Sequence, residues 1–237
     1  MNRWQAPGNG KGFDSVLGNN SKMNNRTIGT LTFIKEKSSK DGYISEAIFK
    51  EEIKDYLFEN FSEMLNLSLV SHFYKPALFY GLISRDKHYN LSLSIEGNLF
   101  INSYKEKDFI KCKKIIINQL DNVTYPNEAT IQLKGLKLFP FRILFKLLLE
   151  NKVLTSEFIK KQLVYITSIG SLEKYIKTHN LNDILSSSEY DKFSTWVVNS
   201  LVNLEILNLK KGSLSINSSI LEHIKLLYLN IDLKDMF

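Results

Sequence analysis

The chain of 237 residues contains a single cysteine, Cys112, so no disulfide bond can form within it. Freedom from disulfides is typical of a reducing compartment, and we expect a cytoplasmic protein. The first residues lack the apolar stretch of a secretory signal. The strongest apolar run, 136–149, is interrupted by Lys137, Arg142 and Lys146 and is too short to span a bilayer. We therefore expect this run to form a core helix.

The sequence also lacks the residue patterns of common catalytic and metal sites. Its four histidines show no metal-ligand spacing, and one cysteine cannot build a zinc site. There is no phosphate-binding Gly-Lys-Ser/Thr loop, no Gly-x-Ser-x-Gly elbow and no dinucleotide fingerprint. Glu52-Ile53-Lys54, downstream of Asp41, matches the Glu-x-Lys motif of metal-dependent nucleases. However, side chains two residues apart on a helix do not face each other. We expect no catalytic residue, metal site or cofactor in this chain.

The charge that is present favours an anionic partner. The formal net charge is +6 and the pI is about 9.1, which points first to nucleic acid. A Lys- and Asn-rich composition inherited from an AT-rich genome would give the same balance. Charge alone therefore does not decide between a nucleic-acid-binding protein and an unrelated basic protein.

The chain begins with a polar segment, residues 1–43, that is rich in Gly, Asn, Ser and Lys. This composition predicts a loop or arm, with one candidate strand at Thr30–Ile34. Glycine-rich backbone can approach a DNA groove closely, and Arg and Gln can hydrogen-bond there. A solvated tail is the alternative. The candidate DNA contacts of the arm are Arg3, Gln5, Asn9, Lys11 and Arg26.

Helices surround a short basic hairpin in the first half of the chain. Ser45 is placed to cap a helix over 46–60, with Ile48 among its inward residues, and a second helix is predicted over 62–70. A third helix either begins near Pro76 or kinks there, and Gly81 ends it. Alternating strands over 82–84 and 91–95 predict a hairpin with a basic, aromatic tip. Helices over 95–102 and 107–120 follow.

The second half repeats this order. Helices are predicted over 140–150, 155–165, 172–177 and 189–204, the last capped by a Ser-rich run. A hairpin over 206–216 turns at 210–213, and a helix over 218–229 closes the chain. The predicted fold is mainly α with small β-hairpins. We interpret it as two tandem winged-helix domains, 44–125 and 126–237, preceded by the arm.

In a winged helix the third helix enters the major groove and the hairpin contacts the backbone or the minor groove. Lys and Arg neutralise phosphates, whereas Asn, Gln, Ser and Thr can pair with base edges. Winged helices also pack against proteins, so a protein-interaction scaffold is an alternative. The first half offers Ser71, His72, Lys75, Arg85, Lys87 and His88; the second offers Ser188, Lys192, Thr195, Asn199, Lys210 and Lys211.

Several runs together resemble a known family. The runs 76–83, 89–97 and 105–108 look like the first recognition subdomain of type IIS restriction and nicking endonucleases. The segment 139–149, followed by 154–158, is similar to the start of their second subdomain. The run 4–8, Trp-Gln-Ala-Pro-Gly, resembles the arm that precedes these subdomains in FokI-like enzymes. The likeness covers nearly the whole chain in order.

The resemblance implies sequence-specific recognition of a short, asymmetric double-stranded site. In that family a separate C-terminal nuclease domain of the PD-(D/E)xK type cuts beside the site with Mg²⁺. We expect this chain to be the recognition part or subunit of such an endonuclease, with the nuclease in a partner subunit or a missing C-terminal domain. Mg²⁺ is expected only there. A tandem winged-helix plasmid replication initiator or a transcriptional regulator is the alternative from another class.

Overall fold

The computed structural model describes residues 25–38, 40–61, 71–124, 137–178 and 197–237. They form two compact units, which divide between Gln119 and Leu120. We call them the N-terminal unit and the C-terminal unit. None of the helices in these ranges is long and apolar enough to cross a membrane.

The N-terminal unit combines helices with a three-stranded antiparallel sheet in the order β1-β3-β2. The sheet places the two-residue β1 beside β3, with Ile44 opposite Leu91, and pairs β3 with β2 as a hairpin. The elements are α1 (Asn25–Lys37), β1 (Ile44–Ser45), α2 (Glu46–Phe61), α3 (Ser71–Phe79), β2 (Ile83–Arg85), β3 (Asn90–Leu93), α4 (Ile95–Lys105) and α5 (Phe109–Asp121), whose last two residues belong to the C-terminal unit.

The C-terminal unit has the same kind of sheet, in the order β4-β6-β5. Leu154 lies opposite Leu214, as Ile44 lies opposite Leu91. Its elements are α6 (Pro140–Asn151), β4 (Leu154–Thr155), α7 (Ser156–Lys161), α8 (Ile169–Thr178), α9 (Asn199–Asn203), β5 (Leu207–Lys210), β6 (Ser213–Ile216) and α10 (Leu221–Tyr228), with 3-10 turns at Leu163–Tyr165, Ser218–Ile220 and Leu233–Met236.

The predicted fold class is confirmed: both units are mainly helical with a small antiparallel sheet. Both predicted hairpins are present, and we call β2–β3 the first wing and β5–β6 the second wing. The predictions omitted β1 and β4, which are two residues long each. Strands this short carry no hydrophobic alternation that a sequence pattern can reveal.

The strand expected at Thr30–Ile34 is wrong, because residues 25–37 form α1. Leu31, Phe33 and Ile34 are completely buried in the core. Packing of an apolar helix face against α2 outweighs the β propensity of the Thr and Ile residues in this run. Part of the predicted arm is therefore a core helix, and residues 1–24 lie outside the described ranges.

One expectation for the helices around the first wing, and one of two alternatives for another, need correction. Ile48, expected inward, is 45% exposed. The buried face of α2 consists of Phe49, Ile53 and Leu57 instead. Of the two alternatives for the next helix, a start near Pro76 is wrong, because α3 spans Ser71–Phe79 with Pro76 inside it; a kink at Pro76 stays a prediction. The predicted helix over 62–70 and the first part of the helix over 189–204 lie outside the described ranges.

An aromatic chain connects the helices of the N-terminal unit. The Phe33 ring meets the Phe49 ring edge-on with a centroid distance of 5.6 Å. Phe49 in turn meets Tyr74 of α3 at 5.5 Å. Edge-to-face pairs of buried rings add to the free energy of burying their apolar area. The chain fixes α3 relative to α1 and α2 and holds the Tyr74 hydroxyl near the start of α2.

In the C-terminal unit Arg142 of α6 joins distant parts of the chain. Its guanidinium donates to the Asp121 carboxylate at 3.0 Å and to the Asp235 carbonyl at 2.7 Å. It also lies over the Phe139 ring, 3.9 Å from the ring centroid. These contacts fasten the last residues of the chain to α6, whose apolar face, including Phe145, lies in the core.

We predict that Gly97→Ala destabilises the protein by about 1–3 kcal/mol. A Cβ at Gly97 would lie 2.0 Å from the Leu82 carbonyl oxygen, so the first turn of α4 must move away from the wing. The matched control is Gly170→Ala in α8, where an added Cβ meets nothing within 4 Å. This control substitution should raise the free energy of unfolding by up to about 1 kcal/mol. Urea denaturation of both variants measures this, and equal stability of the two would contradict the packing described here.

Candidate nucleic-acid interface

Asp86 shapes the tip of the first wing. Its carboxylate accepts hydrogen bonds from the backbone N–H of His88 at 2.8 Å and of Asn90 at 2.9 Å, and from the Asn90 side chain. The backbone hydrogen bond from Asn90 contributes most to the lowered pKa of Asp86. The Asp86 carboxylate therefore remains ionised and holds a turn in which Lys87, His88 and Tyr89 are exposed.

The tip of the second wing is a two-residue turn. Lys211 and Gly212 have φ values of 50° and 77°, as both central residues of a type I′ hairpin turn require. Lys210 pairs with Ser213 across the base of this turn. Both lysines are exposed, and neither forms an ion pair with another residue in the described ranges. The second wing thus presents two adjacent ammonium groups to solvent.

Each wing is fastened to the helix that follows the two-residue strand of its sheet, α2 after β1 and α7 after β4. The Glu46 N–H donates to the Tyr89 carbonyl at 2.9 Å, and the Ser156 N–H donates to the Gly212 carbonyl at 2.9 Å. The preceding Ser45 and Thr155 cap the two helices by accepting from amides three residues on, at 3.3 Å and 3.0 Å. The predicted capping by Ser45 is confirmed. The two units repeat this junction residue for residue.

Arg85, a predicted DNA contact, is engaged within the N-terminal unit. Its guanidinium lies 3.4 Å from the Glu46 carboxylate and 5.2 Å from the centroid of the Tyr89 ring. The Tyr74 hydroxyl hydrogen-bonds with Glu46 and Arg85. Lys50 also pairs with Glu46. One carboxylate at the start of α2 therefore gathers two cations and a tyrosine hydroxyl.

The pKa values of this cluster follow from its geometry. Burial raises the pKa of Tyr74 to about 12, and the adjacent Glu46 carboxylate adds to the effect. Burial alone would raise the pKa of Glu46, but hydrogen bonds from Lys50 and Tyr74 and the charges of Lys50 and Arg85 outweigh it, so that pKa is lowered. At neutral pH the cluster contains an ionised Glu46 and a neutral Tyr74.

The two helices that the sequence predicts to enter the major groove are described in part. Ser71 and His72 lie in the first turn of α3, within the part of the helix for which only the backbone is described. Lys75 is half-buried in α3. In α9, Asn199 is exposed between the buried Val198 and Ser200. Ser188, Lys192 and Thr195 lie outside the described ranges.

Most of the predicted DNA contacts of the arm lie outside the described ranges. Arg3, Gln5, Asn9 and Lys11 lie outside the described ranges, and Arg26 lies in the first turn of α1, where only the backbone is described. The structure thus places Arg85 and Lys87 on the first wing and Lys210 and Lys211 on the second.

Sequence reasoning missed Glu46 and Tyr74. Both look ordinary in the sequence, as the first residue of a capped helix and as an aromatic residue of the next helix. Their convergence on Arg85 depends on β1, which brings the start of α2 beside the wing. The usable signal was the Ser45 cap, which fixes the first residue of the helix. The partner of the Glu46 side chain depends on tertiary packing, which the local sequence does not show.

Chemical groups for catalysis are sparse in the described ranges. No cluster of three or more His, Cys, Asp or Glu side chains there could hold a metal ion. Glu52 forms an ion pair with Lys37 at 2.9 Å. Burial raises the pKa of Cys112 to about 12, so this thiol stays protonated at neutral pH.

Comparisons with known proteins agree with this arrangement of wings and helices. Residues 70–195 match the family described as type II restriction endonuclease HgaI, N-terminal domain. The fold is similar to that of the BpuJ1 endonuclease binding domain in a crystal structure with pyrene- and phenanthrene-modified DNA. That likeness has a TM-score of 0.58 and 16% identity, and covers 85% of this chain and 78% of that one.

Restriction endonuclease FokI is similar over 95% of this chain and 47% of its own, with 14% identity and a TM-score of 0.47. The chain therefore spans about half the length of FokI. No curated protein matches the sequence. The family match covers more than half of the chain and confirms the resemblance drawn from the sequence. The chain belongs to the family of type II restriction endonuclease HgaI N-terminal domains.

Proposed function

We propose that this chain binds double-stranded DNA in a sequence-specific manner, as the recognition domain of a type IIS restriction endonuclease. The observation that carries the proposal is the repeated junction that holds an exposed basic wing beside a helix in each unit. Family membership supports it, since the matched domain belongs to an enzyme class that acts at defined sites. The DNA-bound state of the BpuJ1 domain, which has a similar fold, supports it further.

The proposed mechanism divides phosphate binding from base reading. Lys87, Lys210 and Lys211 stand on fixed turns, where an ammonium group reaches a phosphate but has no fixed geometry toward a base edge. The recognition helices would enter the major groove, with Asn199 as the described side chain suited to pair with adenine. Ser71, His72, Lys75, Ser188, Lys192 and Thr195 are proposed to line the same two helices.

The arm and the catalytic machinery complete the proposal. Arg3, Gln5, Asn9, Lys11 and Arg26 are proposed to add contacts in a neighbouring groove. Cleavage is assigned to a nuclease domain or subunit that joins this chain, and Mg²⁺ to that nuclease. The division into an arm and two domains, 1–43, 44–125 and 126–237, remains our proposal for how the DNA-binding parts are organised.

Replacing both Lys210 and Lys211 with Ala should weaken binding to preferred and random duplexes alike. Two lost phosphate contacts should make the slope of log K against log salt shallower by up to about 2. The control changes Lys225 and Lys234 to Ala, since both are paired with nearby carboxylates in the same unit away from the wing. Fluorescence anisotropy titrations measure the slopes. Equal slopes for the two double variants would remove the second wing from the interface.

Asn199→Ala should discriminate base reading from backbone contact. If Asn199 pairs with a base, the variant loses about 1–3 kcal/mol on the preferred duplex and little on random DNA. Selection from a pool of randomised duplexes supplies the preferred site, and anisotropy titrations supply both affinities. Equal losses on the two DNAs would place Asn199 on the backbone, and no loss on either would place it in solvent.

The natural chain alone should leave supercoiled plasmid intact when it is incubated with Mg²⁺. This follows because Glu52 of α2 is paired with Lys37 of α1, and no cluster of three or more His, Cys, Asp or Glu side chains in the described ranges could hold a metal ion. Gel electrophoresis of plasmid incubated with Mg²⁺ tests it. Nicking that disappears in Glu52→Gln would show that α2 contains a nuclease site.

A further inference from the structure

We propose that Glu46 restrains DNA binding by the first wing, because its carboxylate is paired with the Arg85 guanidinium, to which a DNA phosphate would otherwise bind. The inference rests on the proposed DNA-binding function and adds a residue that opposes binding. Arg85 is the last residue of β2 and immediately precedes the tip of the wing. A phosphate that reached this tip would compete with Glu46 for the same group.

The local geometry makes this competition costly for DNA. The side chains of Arg85 and Glu46 are only 23% and 12% exposed, so their ion pair is screened less by water than a surface pair. Withdrawal of Arg85 would leave Glu46 short of one cation in a half-buried position, which is unfavourable. The charge of Glu46 also repels an approaching phosphate. Arg85 therefore stays paired with Glu46 when DNA contacts the wing only through the sugar-phosphate backbone of the DNA.

The C-terminal unit shows that the fold does not require this carboxylate. Ser156 occupies the position equivalent to Glu46, and its N–H makes the same hydrogen bond to the wing turn at 2.9 Å. Leu209, opposite Leu214, occupies the position equivalent to Arg85, opposite Leu91. Serine and leucine thus replace the ion pair at an otherwise equivalent junction. The first wing is restrained and the second wing is not, so the two contribute unequally to binding of random DNA.

The test compares Glu46→Gln with Glu51→Gln in the full chain. Glu51 is exposed on the same helix, so its replacement makes the same change in net charge without touching Arg85. Glu46→Gln should raise affinity for a random duplex about three- to tenfold and steepen the salt slope by about 1, the contribution of one added phosphate contact. Glu51→Gln should change affinity less than twofold and leave the slope unaltered.

Arg85→Gln identifies the released cation. It should reduce affinity for random DNA at least about three times more in the Glu46→Gln background than in the natural chain, since only the released arginine binds a phosphate. Thermal denaturation checks that each variant is folded. If Glu46→Gln is unfolded, Glu46→Asp replaces it, because the shorter side chain keeps the helix-start charge while withdrawing from Arg85, and a gain in the same direction is expected.

The outcomes separate this inference from the function on which it depends. Failure of the natural chain to bind any duplex at low salt would remove the proposed function. Binding by the natural chain, with Glu46→Gln indistinguishable from Glu51→Gln or weaker than the natural chain while folded, would overturn the restraint alone. Equal losses from Arg85→Gln in both backgrounds would also overturn it.

Discussion

The position of each wing depends on one backbone hydrogen bond that fastens its turn to the start of a helix. Glu46 and Ser156 make this bond in the two units, both at 2.9 Å. The residue before each of them ends the two-residue strand and also caps the helix, so the donor is held between the strand pairing and the first helical turn. A wing held in this way can present a cation at a defined place. A hairpin of three or four residues per strand would be marginal by itself, and this bond adds to the pairing with the two-residue strand that attaches it to its unit.

The same junction supports different electrostatics in the two units. In the N-terminal unit it places a carboxylate beside Arg85 and the Tyr74 hydroxyl, and the aromatic chain from Phe33 holds that tyrosine in place. In the C-terminal unit it leaves Lys210 and Lys211 exposed at a tight turn. Similar backbones therefore give one restrained wing and one open wing.

Much of the fold could be predicted because its signals are local. The alternation in both hairpins, the Ser45 cap and the apolar face of the helix from Pro140 identified elements that the structure confirms. Helix α1 was missed because its polar, Gly-rich flanks suggest a loop, whereas burial of Leu31 and Phe33 against α2 decides the outcome. The ion pair of Arg85 was missed for a different reason. A basic residue in a hairpin predicts exposure, and only tertiary structure shows that a carboxylate from another element engages it.

The salt dependence of duplex binding by the natural chain tests the central claim most directly. If about five cations of the two wings and the arm neutralise phosphates, log K should fall with log salt with a slope of roughly −4 to −5. The measurement uses a duplex containing the selected site and a random duplex of equal length, and the selected duplex should bind more tightly at every salt concentration. Absence of binding at low salt, or a slope near zero, would contradict the account.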